Sequence, residues 1–141
     1  METSISPEKI EAYRMAHFSV RTSNELFALV INAPSENLKR LFLATNTSTA
    51  VFITAFNPFG QIQSENSNLA AHKALEAKVR VLSKHVYDGD GGDPSGMWPK
   101  ELSYLVLGID SQTAALLGKE FHQDAVVWSG ADAIPRLLLL R

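Results

Sequence analysis

An apolar run from Ala50 to Phe56 breaks at Asn57-Pro58-Phe59-Gly60, and Ser64, Asn68 and His72 follow four residues apart. Asparagine carries a donor and an acceptor on one side chain, serine can cap a helix or meet a ligand, and histidine can move a proton near neutral pH. A turn ending at Gly60 lets backbone approach a ligand. A helix starting at Ser64 would present free N–H groups and a partial positive charge, which suits an anion. In open sheets flanked by helices, ligands collect beyond strand ends and beside helix N-termini. The expectation is a pocket for a polar small molecule, anions among the candidates, lined by Asn57, Gly60, Ser64 and Asn68, with His72 as a candidate proton carrier. The bland reading is that Asn57 caps its own turn and Asn68 tethers that loop to the helix, as buried amides commonly do.

For those residues to meet, Ala50–Phe56 must be a central strand and Ser64–Lys84 a long helix. Val51, Ile53 and Ala55 would line one face of the strand and Phe52, Thr54 and Phe56 the other. Apolar side chains on both faces mean that both are covered. On the helix, Asn68, His72, Leu75, Val79 and Leu82 share one stripe, polar at its start and apolar at its end. Ser6-Pro7-Glu8 is a helix start, with Ile10 and Tyr13 facing inward. His17–Arg21 and Glu25–Ile31 read as a hairpin around Thr22-Ser23-Asn24. Leu38, Leu41 and Phe42 mark a short helix. Leu102–Ile109 is strand-like, Asp110 caps a helix to about Phe121, and Asp124–Trp128 and Arg136–Leu140 close as strands. Hairpins mixed with strand–helix–strand units predict one α+β domain over residues 1–141, with a mixed sheet of about five to six strands flanked by three to four helices.

Composition narrows the function classes. The chain has 141 residues, no cysteine and a formal net charge of −2. A thiolate nucleophile, a disulfide scaffold and a cysteine-built zinc site are excluded. The slight negative charge argues against nucleic acid and membrane surfaces as partners, since both call for a basic face. No apolar stretch approaches the roughly 20 residues of a membrane span, and the N-terminus does not read as a signal peptide, so a cytoplasmic location is expected. Asp88–Gly96 resembles a calcium loop only superficially, because its sixth position is Asp93 and its twelfth is Pro99. The four histidines lack metal-ligand spacing, and no dinucleotide or phosphate-loop motif fits, so no metal or cofactor is expected. The glycine/aspartate loop is a connector or a mobile flap, with Tyr87 and Trp98 at its ends.

Phe52-Ile-Thr-Ala-Phe-Asn-Pro-Phe-Gly, followed by Ser64, Asn68, His72 and Leu75, resembles a bacterial family, the domain of unknown function numbered 3293. The similarity returns at Trp98 and Glu101 and at Phe121-His122-Gln123-Asp124-Ala125, and it covers about residues 15–140. The family has tryptophan where this chain has Phe56, and glycine where it has His122. The resemblance brings no activity. It implies four shared polar positions, Asn57, Asn68, Glu101 and Gln123. A buried Glu101 beside Trp98 would have a raised pKa and could serve as general acid or base, with Asn57, Asn68 and Gln123 as orienting groups. The same set could instead be a hydrogen-bond network that locks the fold. Whether the protein is an enzyme stays open at this point, and a non-catalytic module that binds a protein partner is the alternative function.

Overall fold

The computed structural model describes residues 3–92 and 99–141. Along the chain come α1 (Pro7–Met15), β1 (His17–Arg21), β2 (Leu26–Leu29), α2 (Glu36–Thr45), β3 (Ala50–Thr54), α3 (Glu65–Leu82), β4 (Val86–Gly92), β5 (Glu101–Leu107), α4 (Ser111–Glu120), β6 (Ala125–Ser129) and β7 (Arg136–Leu139). A single 3-10 turn, Pro58–Gly60, lies between β3 and α3. Ser6, Ser64 and Asp110 cap their helices as expected, and Ser35 caps α2 as well, each side chain accepting an N–H of the first turn.

The architecture is α+β, with a seven-stranded sheet in the order β2-β1-β4-β5-β3-β6-β7. Every neighbouring pair is antiparallel, and there are slightly more strands than sequence patterning suggested. The strand–helix–strand units are present, but none of them joins neighbouring strands. α3 carries the chain from β3 to β4 across β5, and α4 carries it from β5 to β6 across β3. The strands that each helix joins are therefore parallel to one another yet never adjacent.

Two cores fill the faces. Val51, Ile53, Tyr104, Val106 and Val126 pack under α3 and α4 through Leu75, Val79, Ala114 and Leu117. Phe18, Val20, Phe52, Leu105, Leu107 and Val127 pack under α2 through Leu38 and Phe42. The alternation expected for Ala50–Phe56 holds, because Val51 and Ile53 share one core and Phe52 lies in the other.

The stretch read as a glycine/aspartate loop corrects itself in part. Val86–Gly92 is a paired strand, with Gly89 opposite Val20 and Ser103, and Gly91 opposite Phe18 and Glu101. Glycine is needed here because the side-chain space is already taken. A Cβ on Gly89 would lie 2.8 Å from the Phe52 ring and would also overlap the Ser19 carbonyl. The rest of that stretch, including Trp98, lies outside the described residues.

Gly89→Ala tests this packing. Neither the strand carbonyl nor a core phenylalanine can withdraw cheaply, so the substitution should cost about 3 kcal/mol. Among the described residues, Gly92→Ala meets only Lys100, with its nearest atom at 3.5 Å, and should be close to neutral. Urea denaturation of the two variants checks the contrast.

Candidate functional site

β3 runs antiparallel to both β5 and β6. The residues after β3 therefore meet those that begin β5 and β6. Asn57, Glu101 and Asp124 come to one corner for this reason alone.

The loop after β3 has an uncommon backbone. Asn57, Phe59 and Gly60 take positive φ, at 47°, 53° and 74°. Asparagine and glycine accept that region readily, whereas a bulky residue there is strained by about 1–2 kcal/mol. Phe59 is held by contacts with His122 and Arg141. Its N–H donates to the His122 carbonyl at 2.7 Å, its ring lies 5.4 Å from the His122 ring, and the Arg141 guanidinium sits 4.3 Å above it.

Asn68, 6% exposed in the first turn of α3, fixes Asn57. Its Oδ1 accepts the Asn57 backbone N–H and its Nδ2 donates to Asn57 Oδ1, both at 2.9 Å. The Gln63 backbone N–H also donates to Asn57 Oδ1, at 3.0 Å. A backbone N–H can only donate, so the two backbone bonds determine which end of each amide is oxygen. Asn57 Nδ2 is left facing β5, where it donates to Glu101 Oε2 at 2.9 Å.

Glu101 is partly buried. Burial pushes its carboxyl above the ordinary range, against a weaker pull downward from the Asn57 amide and the Lys9 charge. Tyr13, from α1, is pushed up by burial first and then by the charges of Asp124 and Glu101. Asp124 is 3% exposed and precedes β6. Its Oδ1 accepts from Arg141 at 2.7 Å, and its Oδ2 takes the Lys9 ammonium. Lys9 and Tyr13 stand one helical turn apart on α1 and so share a face.

The structure thus brings Asn57, Asn68 and Glu101 into one bonded chain, with Gly60 nearby against Lys9. Ser64 Oγ caps α3 by accepting the Ser67 N–H at 3.1 Å. Gln123, 7% exposed, braces the backbone, donating to the Phe56 carbonyl at 3.1 Å and the Phe121 carbonyl at 3.3 Å. His72 stands elsewhere. Its ring stacks on Tyr104 with centroids 4.4 Å apart and meets the edge of Phe56 at 6.0 Å. Its buried Nδ1 has no hydrogen-bond partner among the described residues, and burial lowers its pKa. Tyr104 belongs to the core beneath α3, whereas Glu101 by strand alternation shares the side of Leu105 and Leu107. The two candidate proton carriers, His72 and Glu101, thus lie toward different faces of the sheet. Trp98 lies outside the described residues, so its place beside Glu101 is not described.

Lys9, Tyr13, Asp124 and Arg141 were missed in the sequence. Asp124 carried a usable signal, since it directly precedes a strand at the same edge as Asn57. Lys9 and Tyr13 carried only a shared helix face. Among the described residues no three His, Asp or Glu side chains come together as metal ligands, and no helix is long and apolar enough to cross a membrane.

A family model described as "Protein of unknown function (DUF3293)" matches residues 53–126. The match contains Asn57, Gly60, Asn68, Glu101, Gln123 and Asp124, whereas Lys9, Tyr13 and Arg141 fall outside it. No curated protein and no solved structure matches the chain.

Glu101→Gln tests the electrostatics of the corner. An acid whose folded pKa is raised favours folding below its ordinary pKa, and that contribution is lost as pH rises through the raised value. The variant should be more stable than the native chain near neutral pH and should converge with it below about pH 4. A pH series of urea denaturations measures this. A variant less stable at every pH would contradict it.

Proposed function

The chain belongs to the DUF3293 family, and we propose that its corner between β3, β5 and α1 binds a polar small molecule that donates hydrogen bonds. The observation that supports this best is the forced orientation of Asn57. Two backbone N–H groups and Asn68 set its amide, and the amide in turn holds Glu101 Oε2 at 2.9 Å. Positioning a partly buried carboxyl this firmly suits recognition, because a ligand then meets a fixed group and little ordering is left to do.

Glu101 is the contact with the ligand, Asn57 sets its rotamer, and Tyr13 supplies a hydroxyl from α1. With its pKa raised, Glu101 can hold or release a proton nearer neutral pH than an ordinary carboxyl. Lys9 and Arg141 offset Asp124, whereas Glu101 has no ion-pair partner among the described residues and disfavours an anion, so neutral or cationic donors such as polyols and amines suit the corner better than carboxylates. The absence of cysteine leaves no disulfide calling for an oxidising compartment. This supports placing the chemistry in the bacterial cytoplasm.

A thermal-shift screen with sugars, amines and carboxylates tests the reading. The expected outcome is a stabilising hit among the first two classes, none among carboxylates, and loss of the hit in Asn57→Ala and Glu101→Ala chains whose circular dichroism is native. A hit that survives in both variants, or a screen with no hit in any class, would overturn the proposal.

A further inference from the structure

The Lys9 ammonium occupies a fitted space. One wall is the Asp124 carboxylate, 3% exposed, whose Oδ2 it meets. Another is the Phe59 carbonyl, 3.4 Å from Nζ, presented by the strained left-handed backbone at φ 53°. The floor is Gly60, at φ 74°, where an added Cβ would fall on the Lys9 ammonium and lie 3.9 Å from Asp124 Oδ2. Arg141 holds the other Asp124 oxygen, so the cradle keeps its shape through Oδ1 while Oδ2 faces the occupant.

These walls match one chemistry. An ammonium has three donors and no acceptor, and here it meets a carboxylate oxygen and a carbonyl oxygen beside a gap without a side chain. The occupant arrives on α1, none of whose residues is fully buried, Tyr13 being partly so. An element with so little buried surface opens at low cost compared with the sheet. The cradle also lies inside the family-matched span, whereas Lys9 lies outside it.

We propose that Asp124, the Phe59 carbonyl and Gly60 form a primary-amine site, and that Lys9 is its tethered occupant, displaced by an alkylammonium ligand when α1 lifts. This names the ligand class of the corner and rests on the reading above only for the link to Glu101.

The test is titration of butylammonium chloride into the full chain, native and Lys9→Ala, followed by amide NMR at Phe59 and Gly60, with tetramethylammonium chloride at matched ionic strength as control. Removal of the competing tether should tighten butylammonium binding on the order of tenfold, because the free cradle is then the dominant state. Adding Gly60→Ala to the Lys9→Ala chain should abolish binding. Tetramethylammonium, which has no N–H, should shift neither residue. Equal affinity in the native and variant chains, or equal response to tetramethylammonium, would overturn the proposal. Should Lys9→Ala fail to fold, Lys9→Met keeps the aliphatic stem and gives the same comparison. Binding that persists in Lys9→Ala with Asn57→Ala upholds the cradle and breaks only its link to Glu101. No binding to Lys9→Ala, with screen hits intact in the native chain, sinks the cradle and leaves the corner.

Discussion

The reciprocal amide pair between Asn57 and Asn68 is the constraint on which the corner depends. Each asparagine receives or gives one bond that has no alternative polarity, because a backbone N–H sits at one end. Asn57 Oδ1 accepts from two donors and has no acceptor capacity left for a third. Its Nδ2 is thereby committed to Glu101. A carboxyl that would otherwise rotate freely at a strand start is set by a helix on the far side of the loop. Unpairing a buried amide costs about 1–3 kcal/mol, so this chain of bonds is also a chain of mutual support.

Topology delivers the partners before any side chain acts. β3 lies between β5 and β6 and opposes both. Its end therefore coincides with the beginnings of both neighbours, where Glu101 and Asp124 stand. The two crossover helices α3 and α4 pack on one face and leave the other to α2, while at this corner α1 reaches Asp124 through Lys9. The chain's two ends meet there as well: Lys9 and Arg141 divide the oxygens of Asp124, and Thr3 bonds the Arg141 carbonyl. A buried acid is tolerated because both cations reach it.

Much of this was legible in the residues. Capping serines, the hairpin around Thr22-Ser23-Asn24, the buried strand at Ala50 and the amphipathic stripe of α3 all depend on local chemistry, and local chemistry is written in short windows. Asn57 and Asn68 were legible as a pair for the same reason, because a strand end and a helix start lie close in sequence. The strand at Val86–Gly92 was hidden because its glycines respond to Phe52 and Phe18, residues far away along the chain. The antiparallel neighbours were hidden because adjacent βαβ units look the same in sequence whether or not a strand is inserted between them. His72 illustrates the limit of a helical stripe. It shares a face with Asn68, yet one turn further on that face meets Tyr104 and Phe56 instead of the corner, and the ring becomes part of the aromatic packing. Lys9 and Asp124 lie 115 positions apart, and no periodicity could have joined them.

The central claim is that Asn68 governs Glu101 without touching it. A double-mutant cycle between Asn68→Ala and Glu101→Ala, read by urea denaturation, measures this most directly. Coupling of about 0.5–1 kcal/mol is expected, and it should vanish when the cycle is repeated in an Asn57→Ala background. Strict additivity in the native background, or coupling that survives the loss of Asn57, would contradict the account.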